Sequence, residues 1–539
     1  MNNKLKAILF VFFLLFIFMY ADHRHFFDIP RRLEGRPIVY QLVFYANYIG
    51  LLLSCFIFLT VKSKFIRIVF CLLFFITLSI TFAMDIAHGN SFSMVEANIL
   101  FTEIQFAGEA MNAFFYQYLQ GIGLALIMTA LVAFISYRFM PRIDNVYALI
   151  PILFIAYAAK INLTSDSWHT LFPSVVNVPI VAADAYVSIP RFGPRKPPFI
   201  KPENKGLYKH IIWIIDESVR GDLMSINNSP IPTTPFLESI KSNYYNYGIM
   251  SSSSQFSYGS NMTLQSGLRL DQLPDSNLNY GTNPNIFQYS KQAGYTTYFI
   301  DGQNKEEIPT NGMTHYDFEN IDHYIRIQKN HPDIKWPEVD STIIKYIKKV
   351  LDSKENTFTY INKAGCHFAY NNFYPKSREV FKPSYRGGEA WTDPATLKNT
   401  YCNCISWSVD DFFRKLYPAT LDKDAIIIYT SDHGVSLLEK GRPVQDTGPL
   451  NPLPVRATVP FLVFAGKDHP ELFEFAENNK NRLSHFSIFP GTLFLLGYNI
   501  NQITQKYGEG FFTKQEKIKR TFFSGSIYDP PNFYLNKFE

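Results

Sequence analysis

Cysteine is scarce: five in 539 residues, with no pair in the Cys-x-x-Cys spacing of a thiolate zinc site. Cys55 and Cys71 lie in apolar segments, while Cys366, Cys402 and Cys404 lie in the polar half. Three cysteines cannot all pair, which excludes a disulfide framework and leaves one bridge open, from Cys366 to Cys402 or Cys404. Concentrated charge is also missing. The net charge is only +5, with no dense basic run and no internal repeat, so nothing points to nucleic acid as a partner. What is abundant is apolar: 47% hydrophobic and 16% aromatic residues exclude a disordered chain and allow two or three domains.

Five apolar stretches precede residue 165, at roughly 5–21, 39–61, 66–84, 116–139 and 146–162, each close to the ~20 residues that cross a hydrocarbon core. The first has no small-residue cleavage site and reads as an uncleaved anchor. Lys4, Lys6, Lys62, Lys64, Arg67, Arg138 and Arg142 share one side if the N-terminus is cytoplasmic. Arg24, Arg31, Arg32 and Arg36 oppose them, diluted by Asp22, Asp28 and Glu34, and the loop at about 85–115 has no lysine or arginine. Five crossings then put the C-terminal half outside, in the periplasm of a Gram-negative host. The 85–115 loop has apolar residues at helical spacing, so it either lies on the membrane surface or packs on the soluble domain. The expected organisation is a transmembrane helical domain over 1–165, a Pro-rich linker over 166–205 and a soluble domain over 206–539.

From Tyr208 onward, short β-rich runs alternate with amphipathic segments. Strands are expected at Ile211–Ile215, Thr296–Ile300, Phe358–Ile361, Ala425–Tyr429 and Phe461–Phe464. Helices are expected at about 233–242, 284–293, 340–352, 395–416 and 485–496. This predicts an α/β domain with a central, mostly parallel sheet, whose ligands bind beyond the strands' carboxyl ends. Asp216-Glu217, Asp301 and Asp432-His433 each follow a strand directly.

Carboxylates and a neutral imidazole are zinc ligands, and zinc takes four. Glu217, Asp432 and His433 supply three. A serine in the Ser/Gly-rich segment Ser251–Gly267 supplies the fourth, as an alcohol the metal would activate at a helix N-terminus. Ser218 and Ser251–Ser254 offer hydroxyls too, but Ser257 has the better spacing to Gly267. Asp301 is either a solvated strand end or a supporting group, and His485 reads as a helix cap.

The ordered set Asp216-Glu217-Ser218-Val219-Arg220-Gly221-Asp222, Ser257–Gly267, Gly365-Cys366-His367, Asn399-Thr400-Tyr401 and Thr430-Ser431-Asp432-His433-Gly434 resembles the bacterial phosphoethanolamine transferases of the sulfatase-like, alkaline-phosphatase superfamily. The resemblance covers nearly the whole chain, since five spans before a periplasmic catalytic domain also belong to that family. It implies a sulfatase-like α/β sandwich and a zinc-dependent enzyme with one metal, a second being open. Ser257 matches the nucleophile, a threonine in most relatives, and Glu217, Asp432 and His433 match metal ligands. His367 matches a histidine near the phosphate that protonates the leaving group or positions the acceptor. Arg442, Gln445 and Asn399 are its implied substrate-binding residues. Phosphatidylethanolamine would be the donor, and lipid A or an envelope glycan the acceptor, at the bacterial inner membrane.

Many relatives carry a histidine 12 residues after the one in Asp-His-Gly, where this chain has Gln445. Glutamine donates a hydrogen bond but is neither a cation nor a general acid. Either His367 or Arg442 takes over, or turnover is altered or lost, which keeps a non-catalytic membrane scaffold open. Sulfatases carry Cys/Ser-x-Pro-x-Arg at the nucleophile, whereas Ser257-Tyr258-Gly259-Ser260-Asn261 lacks both proline and arginine, which disfavours sulfate ester hydrolysis. Phosphoglycerol transfer remains the nearer alternative.

Overall fold

The computed structural model describes residues 3–21, 23, 38–88, 92, 111, 114–164, 178–179, 182, 192–304, 311–387, 391–442, 444, 451–465, 470–515, 520–528, 530 and 533–539. The chain divides into two compact units, Met1–Ile189 and Pro190–Glu539.

In the first unit the apolar stretches form helices α1 (Asn3–Ala21), α2 (Ile38–Thr60), α3 (Lys64–His88), α4 (Phe115–Phe139) and α5 (Leu149–Thr164). Three of them, α1, α3 and α4, are long and apolar enough to cross a membrane. In α2 the continuously described apolar part, Tyr48–Thr60, is shorter, as is Asn145–Tyr157, which joins a 3-10 turn to α5. Phe10, Leu14, Phe18, Leu78, Ala125 and Val132 pack between these helices, while Phe12, Phe16, Leu72 and Leu126 stay exposed on their outer faces. Apolar residues both inside and outside a bundle are what a lipid solvent permits. The expected surface helix in the 85–115 loop lies almost wholly outside the described residues.

The second unit is built on seven strands: β1 (His210–Asp216), β2 (Tyr245–Ser251), β3 (Thr296–Asp301), β4 (His323–Arg326), β5 (Thr357–Asn362), β6 (Ala425–Ser431) and β7 (Thr458–Ala465). Their order is β2-β7-β6-β1-β5-β3-β4. Every neighbouring pair is parallel except the two that involve β7. A hairpin, β8 (Thr521–Gly525) with β9 (Phe533–Lys537), forms a second sheet. Central strands β1, β5 and β6 are buried at every position, which is why their sequences read as unbroken apolar runs rather than alternations.

Helices α6 (Ser257–Ser266), α7 (Ile286–Gln292), α8 (Trp336–Leu351), α9 (Pro394–Ile405), α10 (Ile488–Leu495) and α11 (Ile500–Tyr507) accompany the sheet. α8 shows how they attach: Pro337 sits in its first turn, and Val339, Ile343, Ile347 and Val350 bury one stripe. All five expected strands are present, each extended by one to four residues. β2 and β4, the two edge strands, were not expected. β2 carries Asn246 and Gly248 at a β-bulge, and β4 is four residues long and partly exposed.

Two further expectations change. The helix expected over 395–416 is α9, then a π-helical stretch at Ser406–Asp411, then Phe412–Leu416. All five cysteines are free: Cys366 Sγ shares a hydrogen bond with Ser408 Oγ at 3.2 Å, and Cys404 Sγ donates to Gly365 O. The end of the Pro-rich segment is packed within the second unit, with the Arg195 side chain buried on Asp317 and Phe192 against Tyr280.

Candidate active site

Parallel register aligns the strand tips. Asp216 of β1 pairs with Ser431 of β6, and Asn362 of β5 pairs with both Ile215 of β1 and Asp301 of β3. The residues that follow these tips must therefore leave the sheet at one edge. Glu217 and the Asp432-His433 pair do so, and their ligand atoms lie within 4.8 Å of one another, all three buried. α6 brings Ser257 from a different segment. Ser257 Oγ stands 3.2 Å from His433 Nε2 and 3.4 Å from Glu217 Oε2. Ser257 is the first residue of α6, so its hydroxyl sits at the positive end of the helix dipole. Gly267, at φ 65°, stops that helix in the left-handed region, where an added Cβ would collide with Phe489.

Each ligand is oriented by a specific neighbour. His433 Nδ1 lies 2.7 Å from Gly434 O, and a carbonyl only accepts, so Nδ1 carries the proton and Nε2 keeps its lone pair toward the carboxylates. Burial lowers the His433 pKa and favours that neutral form. Asp432 Oδ1 accepts from the backbone of Ser218 and His433 at 2.9 and 2.7 Å. Glu217 is gripped on both oxygens: Ser218 Oγ donates to Oε1 at 2.6 Å, and Gln303 Nε2 donates to Oε2 at 3.0 Å. Ser218 adopts φ 59°, a conformation costly for a non-glycine residue. It is held there by Tyr401, whose hydroxyl donates to Ser218 O and accepts from Arg220 N. Gly434 passes so near Val455 O that a Cβ would lie 2.1 Å from it, which explains a glycine after the histidine.

A fully buried ion pair lies beside the cluster. Lys363, next after β5, donates to Asp216 Oδ2 at 2.6 Å and to Ser408 O, and lies 3.4 Å from Asp340. Burial dominates the Asp216 pKa, raised to about 6 against the pull of Lys363. Asp216 Oδ1 accepts from Glu217 N, so this pair braces the ligand strand. The Lys363 charge is thus committed to Asp216 and Asp340 rather than to Glu217 and Asp432. Two carboxylates, a neutral imidazole nitrogen and an alcohol then form a donor set suited to zinc. Asp216 and Asp301 do not extend that set. Asp301, buried with a raised pKa, caps the turn after β3 by accepting from Gln303 N and Asn304 N, and so aims Gln303 at Glu217.

His367 follows the β5 tip. Its Nδ1 contacts Phe368 O at 2.6 Å, its pKa is lowered chiefly by burial, and the charges of His433 and Asp432 act on it. Among the described residues the acid and histidine cluster is Glu217, Asp432 and His433, without His367. Asn399 donates to Pro383 O at 3.0 Å, so it serves loop structure, and Arg442 donates to Asn451 O. Gln445 lies outside the described residues. His485 is no cap: it is buried, and its Nε2 donates to Ser431 O at 3.0 Å, bracing the β6 tip. Asp222 pairs with Arg220. Gln303 and Lys363 were not anticipated, and Ser218, weighed as an alternative hydroxyl, instead donates to Glu217. Lys363 was findable, because it follows a strand as directly as Glu217 does.

Residues 209–498 match the Sulfatase family. A Kdo(2)-lipid A phosphoethanolamine 7''-transferase from Salmonella typhimurium is 24% identical over 324 residues, 56% of this chain and 54% of that protein. The chain thus spans about half the length of the curated relatives it matches. Integral membrane lipooligosaccharide phosphoethanolamine transferase A (EptA) from Neisseria meningitidis superposes with a TM-score of 0.61 at 19% identity, covering 93% of this chain and 97% of that one. The periplasmic domain of EptC from Escherichia coli, crystallised in complex with zinc, gives 0.52 at 19% identity over 64% of this chain and 96% of its own. The chain belongs to the sulfatase family, and within it resembles the bacterial phosphoethanolamine transferases.

Proposed function

We propose that the protein is a zinc-dependent transferase that moves phosphoethanolamine from phosphatidylethanolamine to lipid A or a related envelope glycan. The carrying observation is Ser257 Oγ within 3.4 Å of both Glu217 and His433, groups supplied by three distant segments. Glu217, Asp432, His433 and Ser257 would hold one zinc ion, a reading supported by the zinc complex of the E. coli relative. Bound there, zinc supplies Lewis acidity that lowers the pKa of an alcohol and offsets phosphate charge.

The residues then divide the work. Ser257 Oγ, ionised with its proton released to water, attacks phosphorus from the α6 N-terminus, forming an O–P bond as the bond from phosphorus to the diacylglycerol oxygen breaks. His367, whose lowered pKa makes its protonated form a stronger acid, gives the leaving oxygen its proton. Neutral again, it takes a proton from the acceptor hydroxyl as that oxygen displaces Ser257. Arg442 and Gln445 serve the phosphate oxygens. The membrane unit crosses the inner membrane five times, with the catalytic unit in the periplasm, beside a lipid donor.

Ser257→Ala is expected to keep zinc by elemental analysis and lose transfer of a labelled head group. Retained transfer rejects Ser257 as nucleophile, and zinc-free, inactive protein that stays inactive after zinc addition favours the non-catalytic scaffold. An adduct mass of phosphoglycerol instead of phosphoethanolamine would reassign the donor.

A further inference from the structure

The segment 376–387 carries Lys376, Arg378, Lys382 and Arg386 against a sole acid, Glu379, which is occupied by Ser384 and Arg386. All four basic side chains are exposed, and so is Val380, at 67%. The segment has no regular secondary structure beyond one 3-10 turn, yet it is rigidly mounted. Asn403, buried on α9, accepts from Val380 N and Phe381 N at 2.7 and 2.8 Å and donates to Phe381 O at 2.8 Å. Thr400 accepts from Tyr385 N, and Asn399 donates to Pro383 O. Three polar side chains of one helix thus hold a strap that exposes four cations and one valine, with Arg378 over the Trp407 ring and Arg386 4.0 Å from Glu379.

The strap is coupled to the active site by aromatic contacts. Tyr385 packs on Trp391 at 4.6 Å between ring centroids, and Trp391 packs on Phe368 at 4.9 Å, beside His367. At the other end Phe373 lies 6.0 Å from the His367 ring. The strap thus connects to the neighbourhood of His367 indirectly, through Trp391 and Phe368 from Tyr385 and through Phe373, which precedes the strap in the chain.

We propose that this strap docks the acceptor, and that the acceptor is an anionic lipid whose head group bears phosphates. Clustered cations recognise phosphate, and an exposed valine among them suits the boundary between a head group and acyl chains better than a soluble glycan. This rests on the transfer reading and narrows it: the donor half-reaction ends at Ser257, and the strap acts only afterwards.

The test uses the full chain in detergent, with the triple variant Lys376→Gln/Arg378→Gln/Lys382→Gln. Acceptors are a bis-phosphorylated acylated disaccharide, its dephosphorylated counterpart, and a phosphorylated disaccharide without acyl chains. The variant should raise KM for the phosphorylated lipid by about tenfold with kcat unchanged. It should leave KM for the dephosphorylated lipid and the rate of diacylglycerol release at wild-type values. Val380→Ser should raise KM for the lipid and leave that for the deacylated sugar unchanged. An unchanged KM for the phosphorylated lipid, slowed diacylglycerol release in the triple variant, or equal use of the deacylated sugar by the wild type overturns the proposal. A wild-type enzyme that releases no diacylglycerol rejects the transfer reading itself, and the strap's role with it.

Discussion

Replacing Glu217 by glutamine should stabilise the metal-free protein while destroying its response to zinc. The ligand oxygens of Glu217 and Asp432 lie within 4.8 Å, which corresponds to about 3.5 kcal/mol of repulsion at an effective dielectric of ~20. Glutamine keeps the shape and can turn its amide to Ser218 Oγ, which accepts, and its oxygen to the Gln303 amide; exchanging a charged acceptor for a neutral one costs about 1 kcal/mol. The net is a gain of about 2 kcal/mol, or about 4 °C in the Tm of the second unit. Wild-type protein without metal should be the less stable of the two, and zinc at 100 times its Kd should raise it by about 2.7 kcal/mol. Thermal scans of both proteins, with chelator and with zinc, read all four values. If metal-free Glu217→Gln melts below metal-free wild type, or gains as much from zinc, the two carboxylates do not form a cation site and the reasoning fails.

Lys363→Met should destabilise by about 3–5 kcal/mol, because it leaves buried Asp216 and Asp340 without their cation. Denaturant unfolding of the single variant and of Lys363→Met/Asp216→Asn checks this, the second change restoring part of the loss. His485 provides a pH dependence. Burial lowers its pKa to about 4 from an ordinary 6.5, so its contribution is fully present above pH 6.5 and is lost as pH falls through 4. The loss amounts to about 3 kcal/mol. His485→Gln keeps a donor for Ser431 O, and its unfolding free energy should decline correspondingly less than wild type between pH 6.5 and 4.

What the sequence disclosed follows from which physical signals are local. Ile211–Ile215 and Ala425–Tyr429 were readable because strands buried on both faces have no polar alternation, and the ligands directly abut them. β2 was not, since its bulge requires Gly248 and Asn246 where a strand pattern expects apolar residues, and its pairing with β7 is decided more than 200 positions away. Glu217, Ser257, Asp432 and His433, which the structure brings together, were selected from residue type and position. Gln303, and the hold of Ser218 on Glu217, were missed because neutral side chains announce nothing until a carboxylate faces them. The break in the 395–416 helix is likewise tertiary: the Ser408 carbonyl is drawn to Lys363 from another strand tip. Asn399, expected at the substrate from its motif, donates through its amide to Pro383 O. The motif's chemistry lies in Tyr401, which sustains the strained Ser218.

The most direct measurement is peptide mapping by mass spectrometry of full-length enzyme quenched during turnover of phosphatidylethanolamine with zinc and no acceptor. The predicted result is a phosphoethanolamine adduct on the peptide bearing Ser257, absent when zinc is chelated and discharged when acceptor is added. An adduct on another residue, or turnover that leaves no adduct on Ser257, would contradict the account.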